Sequence, residues 1–471
     1  MRTQQISYRK VFMKKVLVIG AARTGAAAAK LLLENGSEVV LTDNREPEAI
    51  SREFPEAAGD LKDLAEYGGS RFETVFGEQF PAGRAGEFDL IVVSPGVPPT
   101  IPVLREAEKL GVDAVTDLEV ACRLSPAAFV AITGTNGKTT TTTLTGEIFD
   151  ASGRTTRVVG NIGLPVSRWV HDSKPEDVFV TEISAFQLDG IREFKPKAAL
   201  VLNLSPDHLD RYQVMDNYVN AKKRICMNQD AEDFLVLNQD DPLVREFGSD
   251  SPVRKLFIST QDETENGACY LDGTLYITEN GNKIPLVSDS ELGIKGIHNV
   301  QNALGASALA YFSGVDIDVI RKVLKEFTGV EHRQEYICTR KGVRYVNDSK
   351  GTNTNAAIIA LNAMTTPVVL IAGGYDKHED YTEFVETMKG KVRELILFGV
   401  TADNIEETCR RCGFNNVVRT DGLEHAVQTA AGDALSGDTV LLSPACASWD
   451  MFDNYEVRGD EFRKLSLALP E

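Results

Sequence analysis

The chain has 471 residues, too many for a single hydrophobic core, so two or three domains are expected. Its 69 acidic against 50 basic side chains give a formal net charge of −19, which disfavours general nucleic-acid binding but permits a small anionic substrate. No apolar run has the length of a membrane span or signal peptide, and the seven cysteines are scattered, so we predict a cytoplasmic protein with reduced thiols and no membrane contact.

The first section of the chain follows a segment, residues 1–12, that we predict to be a disordered extension ahead of Met13. Short apolar strands then alternate with helices, which predicts a parallel sheet and a Rossmann-like domain over 13–125. The predicted elements are strand Lys14–Gly20, helix Ala26–Leu33, strand Glu38–Leu41, strand Phe88–Val93 and helix Asp117–Leu124.

The middle and last sections repeat the alternation, so the predicted fold class is α/β with three domains in series. A central parallel-sheet domain is expected over 126–328 and a second Rossmann-like domain over 329–471. The middle elements are strands Ala127–Thr133, Val178–Glu182 and Ala198–Asn203, β-like segments over 234–286, and helices at His298–Tyr311 and Val319–Phe327. The last strands are Val343–Asn347, Val368–Ala372, Leu395–Phe398 and Thr439–Leu442.

A glycine-rich turn joins the first strand of the middle section to a helix that begins near Thr139. Backbone N–H groups in such a turn converge on phosphate oxygens, and the helix N-terminus adds its positive dipole end. Lys138 is suited to the β- and γ-phosphates of ATP, and the Thr139 hydroxyl to Mg²⁺. The first glycine falls at Gly134 instead of at Ile132, so this loop is tighter than the usual P-loop. The predicted ATP-binding loop is Gly134, Thr135, Asn136, Gly137, Lys138, Thr139 and Thr140.

The turn after the first strand of the chain, Gly20–Gly25, is similar to a dinucleotide-binding fingerprint, with Asp43 at the end of the next strand. Ala22, however, stands where the middle glycine must let a pyrophosphate approach the backbone. We therefore do not expect NAD here. A purely structural turn is the alternative to a different diphosphate ligand.

Motifs across nearly the whole chain from Met13 resemble the Mur ligase superfamily, which adds amino acids to cell-wall precursors and includes the folylpolyglutamate synthetases. Several motifs in the family's order are more specific than any one of them. They are Thr133–Thr140, Asn161-Ile162-Gly163, Glu182-Ile183-Ser184, Asp207–Asp210, His298–Ala303, Glu331-His332-Arg333, Asn347–Asn353 and Ser443–Ser448.

The resemblance implies ATP and two Mg²⁺ ions, held by oxygen-rich positions. The implied metal ligands are Thr139, Glu182, His208 and Lys222, the last as a carbamate derived from CO₂. Lys223 is the alternative lysine, on another face of the helix. Asn299 and Asn302 are expected to bind adenine, unless they are structural amides, and Arg333 and Asp348 are expected to bind ATP from the third domain.

The resemblance also implies a UDP-sugar substrate in place of NAD. The implied UDP-substrate residues are Gly20, Arg23, Thr24, Asp43, Asn44, Ser94, Gly96, Asn161, Ser184 and Gln187. Segments Gly373–Lys377 and Ser443–Asp450 are similar to the D-glutamate-adding branch of the family. The implied D-glutamate residues are Lys350, Thr352, Lys377, Ser448, Trp449 and Tyr455, where Tyr455 departs from the phenylalanine of the family pattern.

The resemblance implies an ATP-dependent ligase whose substrates are UDP-N-acetylmuramoyl-L-alanine, D-glutamate and ATP. The expected intermediate is an acyl phosphate, with Lys138, His208, Lys222 and Arg333 as catalytic residues and Asp207 or His208 as the base. We expect a monomer. The alternatives are a folylpolyglutamate synthetase, which lacks a UDP-binding domain, and a non-ligase P-loop switch, which has no use for Lys222 or the pair Lys377 and Ser448.

Overall fold

The computed structural model describes residues 13–376 and 379–471. The chain divides into two compact units. The first runs to Gly293 and continues over Ile297–Phe327, and the second holds Ile294–Gly296 and Thr328–Glu471. The first unit contains two sheets and the second unit contains one.

The N-terminal sheet is parallel, with the strand order β3-β2-β1-β4-β5. The apolar β1 is buried between β2 and β4, as a central strand of a two-sided parallel sheet requires. Its strands are β1 (Lys15–Ile19), β2 (Glu38–Asp43), β3 (Phe72–Phe76), β4 (Leu90–Val93) and β5 (Ala114–Val115). Its helices are α1 (Arg23–Glu34), α2 (Pro47–Glu53), α3 (Pro55–Gly68), α4 (Pro102–Leu110) and α5 (Asp117–Leu124).

The central sheet has the order β14-β13-β12-β11-β10-β9-β6-β8-β7 and is parallel except for the pairs β12–β13 and β13–β14. Its strands are β6 (Ala128–Thr133), β7 (Thr156–Gly160), β8 (Val178–Glu182), β9 (Ala198–Val201), β10 (Phe234–Asn238), β11 (Arg254–Ser259), β12 (Gly267–Leu271), β13 (Thr274–Glu279) and β14 (Asn282–Ser288). Its helices are α6 (Lys138–Ala151), α7 (Ala185–Asp189), α8 (Leu209–Tyr212), α9 (Met215–Lys223), α10 (Pro242–Arg245), α11 (Ile297–Phe312) and α12 (Ile317–Glu326).

The sheet of the second unit has the order β15-β16-β20-β17-β18-β19, with only the pair β15–β16 antiparallel. Its strands are β15 (Glu335–Arg340), β16 (Val343–Asn347), β17 (Val368–Ala372), β18 (Val392–Leu397), β19 (Val417–Arg419) and β20 (Thr439–Leu442). Its helices are α13 (Thr354–Ala363), α14 (Thr382–Met388), α15 (Ala402–Cys412), α16 (Leu423–Asp433) and α17 (Tyr455–Ala468).

Helix α5 ties the two sheets of the first unit together. The buried Glu119 carboxylate accepts hydrogen bonds from the backbone N–H groups of Arg192, Glu193 and Phe194, and from Arg123 Nε. Satisfying three backbone donors with one carboxylate fixes the segment before β9. The N-terminal and central sheets are therefore joined by a buried polar contact as well as by apolar packing.

The predicted α/β class with parallel sheets is confirmed. Some predicted ends were wrong by two residues: β4 begins at Leu90 and not at Phe88, and β9 ends at Val201 and not at Asn203. The extension 1–12 lies outside the described residues. Within the described part of the chain, no helix combines the length and apolar character that crossing a membrane requires.

Candidate active site

The phosphate loop lies at the carboxyl ends of three neighbouring strands, β8, β6 and β9. Strand β6 runs into Gly134, and helix α6 begins at Lys138. Glu182 ends β8, and Asn203 follows β9. Because the carboxyl ends of parallel strands share one edge, the sheet brings these three segments together.

Asn203 holds the loop in shape from the neighbouring strand. Its carbonyl oxygen accepts a hydrogen bond from Thr135 N at 2.9 Å, and its side-chain oxygen accepts one from Asn136 N at 2.8 Å. Lys138 Nζ donates to Thr135 O at 2.8 Å, so this lysine lies against its own loop. Asn203 was not assigned to the site from the sequence, although Asn203 ends the predicted strand Ala198–Asn203 as Glu182 ends the predicted strand Val178–Glu182.

Gly137 is the tightest point of the loop. Its φ of +80° is left-handed, and a Cβ atom there would lie 2.3 Å from Asn302 Oδ1. The Asn302 amide accepts from Thr141 Oγ1 at 3.2 Å and donates to Asn299 Oδ1 at 3.1 Å. Asn302 is therefore engaged inside the domain, as the structural alternative requires. Adenine binding by Asn299 and Asn302 stays a prediction.

Lys222 lies beneath the loop and is 1% exposed, whereas Lys223 is exposed. Its Nζ donates to Gly134 O at 2.9 Å and to Thr133 Oγ1 at 3.2 Å, and it stands 4.9 Å from the centre of the Tyr218 ring. Burial and then Lys138 hold the pKa of Lys222 well below its ordinary value, against the opposing influence of Asp207 and Glu182. A neutral amine at this position is a competent nucleophile toward CO₂.

Glu182 has the features of an ion ligand. It is 2% exposed; Oε1 accepts from Asn161 Nδ2 at 2.8 Å, and Oε2 is buried without a hydrogen-bond partner among the described residues. A buried carboxylate oxygen without a donor is unfavourable unless a cation neutralises it. Thr139 is buried in the first turn of α6 at the same edge. These residues fit a divalent cation beside the phosphate loop.

His208 is held less tightly. Its φ is +54°, its side chain is 48% exposed, and its Nε2 lies 3.6 Å from Asp207 Oδ2. The ring packs against Phe186 with centroids 4.7 Å apart. Within residues 13–376 and 379–471, no group of three or more histidine, cysteine, aspartate or glutamate side chains could hold a metal ion. The predicted ligand set with His208 and Lys222 therefore stays a prediction.

Ser184 and Gln187, predicted to bind the UDP-substrate, bind each other at the start of α7. Gln187 N donates to Ser184 Oγ at 3.3 Å, and Ser184 N donates to Gln187 Oε1 at 3.0 Å. This reciprocal pair is a capping box, which the Ser-x-x-Gln spacing could have indicated. With Asn161 they surround the end of β8, and their contact with substrate stays a prediction.

The N-terminal sheet carries a cavity of about 590 Å³ at the carboxyl ends of β1, β2 and β4. The strand order reverses between β1 and β4, which is where parallel α/β sheets bind ligands. The structure brings all the N-terminal UDP-substrate predictions together in its lining: Gly20, Arg23, Thr24, Asp43, Asn44, Ser94 and Gly96. Sequence reasoning missed Arg45, Phe54 and Phe80, which line it from separate segments.

Asp43 and Arg45 form a two-point ion pair in this cavity. Arg45 Nε lies 2.9 Å from Asp43 Oδ1, and Arg45 Nη2 lies 2.9 Å from Asp43 Oδ2. Ala21 N also donates to Asp43 Oδ2. Burial alone would raise the pKa of Asp43, but these hydrogen bonds outweigh it and hold the pKa below its ordinary value. The carboxylate is therefore ionised and rigidly oriented.

In the second unit, the loops after β16 and β20 carry four of the predicted amino-acid residues, Lys350, Thr352, Ser448 and Trp449. Lys350 Nζ stands 5.1 Å from the centre of the Tyr455 ring, and Thr352 N donates to Lys350 O. Ser448 is buried, while Trp449 is 64% exposed and its ring lies 5.5 Å from that of Tyr375. The Tyr455 hydroxyl bonds Glu456. The structure brings Lys350 and Tyr455 together, and Lys377 lies outside the described residues.

Asp348 is fully buried after β16. It accepts from Ser443 Oγ at 2.7 Å and from Gln334 N at 3.2 Å. Burial raises the pKa of Asp348 to about 6, although the nearby charge of Arg333 opposes this shift. Arg333 and Asp348, both predicted to bind ATP, thus interact within the second unit.

Comparisons with known proteins cover almost the whole chain. The Mur ligase MurD-like N-terminal domain matches residues 14–116, the Mur ligase middle domain 132–310, and the Mur ligase glutamate ligase domain 332–446. A UDP-N-acetylmuramoylalanine–D-glutamate ligase of Alkaliphilus metalliredigens is 43% identical over 97% of this chain and 98% of its own length. The enzyme of that name from Clostridioides difficile is 41% identical over 96% and 97%.

The chain belongs to the Mur ligase family. The resemblance seen in the sequence motifs is confirmed, and the chain is an ATP-dependent ligase. Among solved structures, the UDP-N-acetylmuramate-alanine ligase of Thermotoga maritima matches with a TM-score of 0.61 at 18% identity, covering 97% of this chain and 99% of that one. A pseudomurein peptide ligase of Methanothermus fervidus matches with a TM-score of 0.58 at 18% identity, covering 96% and 99%. At these identities the two structures support the Mur ligase fold only.

Proposed function

We propose that this Mur ligase joins D-glutamate to UDP-N-acetylmuramoyl-L-alanine in a reaction driven by ATP. The observation that carries the proposal is the similarity, along nearly the full chain, to relatives named as ligases of that substrate and D-glutamate. We further propose that the work is divided along the predicted boundaries. Residues 13–125 would bind the UDP-substrate, 126–328 ATP and 329–471 the amino acid.

The cavity of the N-terminal sheet is the proposed UDP site. Its volume of about 590 Å³ suits a nucleotide-sized ligand, and Gly20 and Ser94 border it at the ends of β1 and β4. The oriented Asp43 carboxylate can accept hydrogen bonds from a uracil ring, while Arg23 offers positive charge to a diphosphate. Asn161, Ser184 and Gln187 are proposed to bind the part of the substrate that extends toward the phosphate loop.

The loop Gly134–Thr140 is the proposed site of the ATP phosphates, with Asn299 and Asn302 toward adenine. Arg333 and Asp348 are proposed as further ATP-binding residues. Thr139 and Glu182 would hold one Mg²⁺, and His208 with carbamylated Lys222 would hold a second. Bound there, the ions would neutralise charge on the transferring phosphoryl group. The buried, unpartnered Oε2 of Glu182 supports the first assignment.

Lys222 is proposed to be carbamylated. The neutral amine attacks the carbon of CO₂ and releases one proton, giving an anionic carbamate with two oxygen donors. The carbamate nitrogen keeps one N–H, which can retain the hydrogen bond to Gly134 O that the amine makes at 2.9 Å. Its burial under the loop, with Glu182 and Asp207 close enough to influence its charge, supports Lys222 over the exposed Lys223.

The second unit is the proposed site of D-glutamate. The two carboxylates of D-glutamate can be bound by cationic and hydroxyl side chains. Such side chains are provided by Lys350, Lys377, Thr352 and Ser448. Trp449 and Tyr455 would border the aliphatic part of the amino acid. The Tyr455 hydroxyl bonds Glu456, so the additional oxygen is engaged along α17.

The proposed reaction has two steps. The alanyl carboxylate of the UDP-substrate attacks the γ-phosphorus of ATP, forming an acyl phosphate and releasing ADP. The D-glutamate amine then attacks the acyl carbon, loses a proton to a base and expels inorganic phosphate as the amide forms. Lys138 and Arg333 offset charge on the phosphoryl oxygens. Asp207 and His208 are both candidates for the base.

The function is tested by ADP release with UDP-N-acetylmuramoyl-L-alanine and ATP when different amino acids are supplied. We expect release to depend on D-glutamate and to be far slower with L-glutamate. A folylpolyglutamate synthetase would require a pterin substrate, and a nucleotide switch would release ADP without either substrate. The MurD-like match over residues 14–116 argues against both alternatives. ADP release that is indifferent to D-glutamate would contradict the proposal.

A further inference from the structure

Arg458, in the first turns of α17, is 0% exposed. Burying a guanidinium is costly unless its charge and donors are satisfied. In the described part of the chain, none of the ion pairs includes Arg458. Other interactions must offset the cost of burying this arginine, and these contacts indicate its role in the fold.

Every N–H group of Arg458 is used, and every acceptor is neutral. Nε donates to Ser349 Oγ at 3.0 Å, and Nη2 donates to Ser349 O at 2.8 Å. Nη2 and Nη1 both donate to Cys446 O at 3.2 Å, and Nη1 donates to Ala447 O at 3.2 Å. The planar fork thus spans two separate segments of backbone.

Those two segments are the loops that carry Lys350, Thr352 and Ser448 of the proposed amino-acid site. Ser349 immediately precedes Lys350, and Ala447 immediately precedes Ser448. The loops follow β16 and β20, which pair in parallel with Asn347 opposite Leu442. Arg458 therefore holds the loops 348–352 and 443–448 from behind, on the side of helix α17.

Ser349 completes the connection. Its Oγ accepts from Arg458 Nε and donates to Tyr455 O at 2.8 Å, joining the first loop to the start of α17. Ser443 Oγ, which donates to Asp348 Oδ2, is a second link between the loops. Because this second link is independent of Arg458, the domain retains part of the arrangement when the arginine is changed.

We propose that Arg458 is a positioning residue for the amino-acid substrate, fixing Lys350 and Thr352 relative to Ser448 so that these groups converge on a dicarboxylic amino acid. This inference rests on the proposed function. The guanidinium also places a positive charge behind a site for a dicarboxylic amino acid, with Asp450 and Asp348 near enough to influence that charge. Burial lowers the pKa of Arg458 to about 10, so the charge is retained at neutral pH.

Lysine is the informative replacement. It keeps the charge, but its donors radiate from a single nitrogen and cannot reach Ser349, Cys446 and Ala447 together. A role limited to folding would lower the apparent kcat through the amount of folded enzyme and leave all three KM values unchanged. A positioning role changes the KM for the amino acid and leaves the KM for ATP and for the UDP-substrate nearly unchanged.

The test measures the three KM values and the unfolding temperature of the full chain for Arg458→Lys, Ser349→Ala and the control Arg463→Lys. Arg463 is on the same helix but pairs with Glu335 and Asp460 near the surface. For Arg458→Lys we expect the KM for D-glutamate to rise about tenfold or more, the scale of a lost charged hydrogen bond, with the other two KM values within about twofold. Ser349→Ala should raise the same KM by a smaller factor, and Arg463→Lys should change none.

Equal changes in all three KM values, or an unchanged KM for D-glutamate, would overturn the inference. If Arg458→Lys does not fold, Ser349→Ala decides, because it removes one hydroxyl and leaves the arginine in place. Wild-type enzyme without D-glutamate-dependent ADP release would instead contradict the proposed function, and the inference with it. Active wild-type enzyme with unaltered D-glutamate kinetics in both variants contradicts the inference alone.

Discussion

Lys222 Nζ lies 2.9 Å from the carbonyl oxygen of Gly134, the first glycine of the phosphate loop. A buried amine is thereby attached to the loop backbone, and its neighbours Thr133 and Tyr218 offer it no negative charge. The low pKa of Lys222 follows from this burial first and from Lys138 second. A buried amine whose pKa is lowered in this way gives up its proton more readily, and this is the physical basis for expecting carbamylation there.

Replacing Lys222 tests that expectation. We expect Lys222→Ala to lose about 100-fold or more in kcat, as for loss of a group that stabilises charge in the transition state. Short carboxylic acids should restore part of the activity by supplying the missing oxygens. Lys223→Ala is the matched control and should behave like wild type, because Lys223 is exposed. Loss and rescue with Lys223→Ala alone would show that the assignment is wrong.

The ion pair between Arg45 and Asp43 predicts a substrate-specific defect. Arg45→Ala removes the two side-chain donors of the Asp43 carboxylate and leaves only the backbone N–H groups of Ala21 and residue 45, so its orientation in the cavity is weakened. We expect the KM for the UDP-substrate to rise about tenfold or more, with the KM for ATP unchanged. Lys109→Ala is the control, because Lys109 pairs with Glu106 at the surface of the same domain and does not line the cavity. Equal effects of the two variants would contradict a binding role.

A methyl group at Gly137 should distort the phosphate loop and prevent ATP from binding there. Gly137→Ala places a Cβ 2.3 Å from Asn302 Oδ1 at a φ of +80°. Gly153 has a φ of +84° and no atom within 4 Å of its Cβ position, so Gly153→Ala carries the backbone strain without the clash. We expect both variants to lose stability and only Gly137→Ala to lose ATP binding, measured by titration with ATP. Similar ATP affinities in the two variants would show that the close approach is unimportant.

Asp117 predicts a pH-dependent loss of stability. It begins α5, its Oδ1 is buried without a partner among the described residues, and burial raises its pKa from 3.8 to about 7. The folded protein thus keeps a proton that the unfolded chain releases between those values. The corresponding stability is present below about pH 4 and is lost as the pH rises toward 7.

Asp117→Asn removes this titration and provides the measurement. The unfolding free energy of wild type relative to the variant should fall between pH 4 and pH 7, by about 4 kcal/mol at most, and stay level above pH 7. Urea unfolding at several pH values gives the difference directly. A difference that is constant over this range would contradict the raised pKa.

The fold could be predicted where strands are buried on both faces. Strand β1 is an unbroken apolar run and was found, whereas β3 is an edge strand with a half-exposed face and was not. The paired hairpin strands β12 to β14 were indicated only as β-like segments. Their ends depend on cross-strand partners that no local pattern reveals.

The site could be predicted where all the residues that bind one group lie in a single short segment of the sequence. The phosphate loop and the N-terminal turn were found in this way, and the cavity gathers the predicted turn residues. Phe54, Phe80 and Asn203 were missed because each reaches the site from a distant segment. Arg458 gave no signal at all, since a single arginine at the start of a helix is ordinarily a surface residue.

The proposed reaction is tested most directly by following the oxygen atoms of the alanyl carboxylate of the UDP-substrate. When the substrate labelled with ¹⁸O at both carboxylate oxygens reacts with ATP and D-glutamate, we expect the released phosphate to carry one label and the new amide to keep the other. This outcome follows because phosphate leaves from an acyl phosphate. Unlabelled phosphate, or labelled phosphate formed without a D-glutamate amide, would contradict the claim.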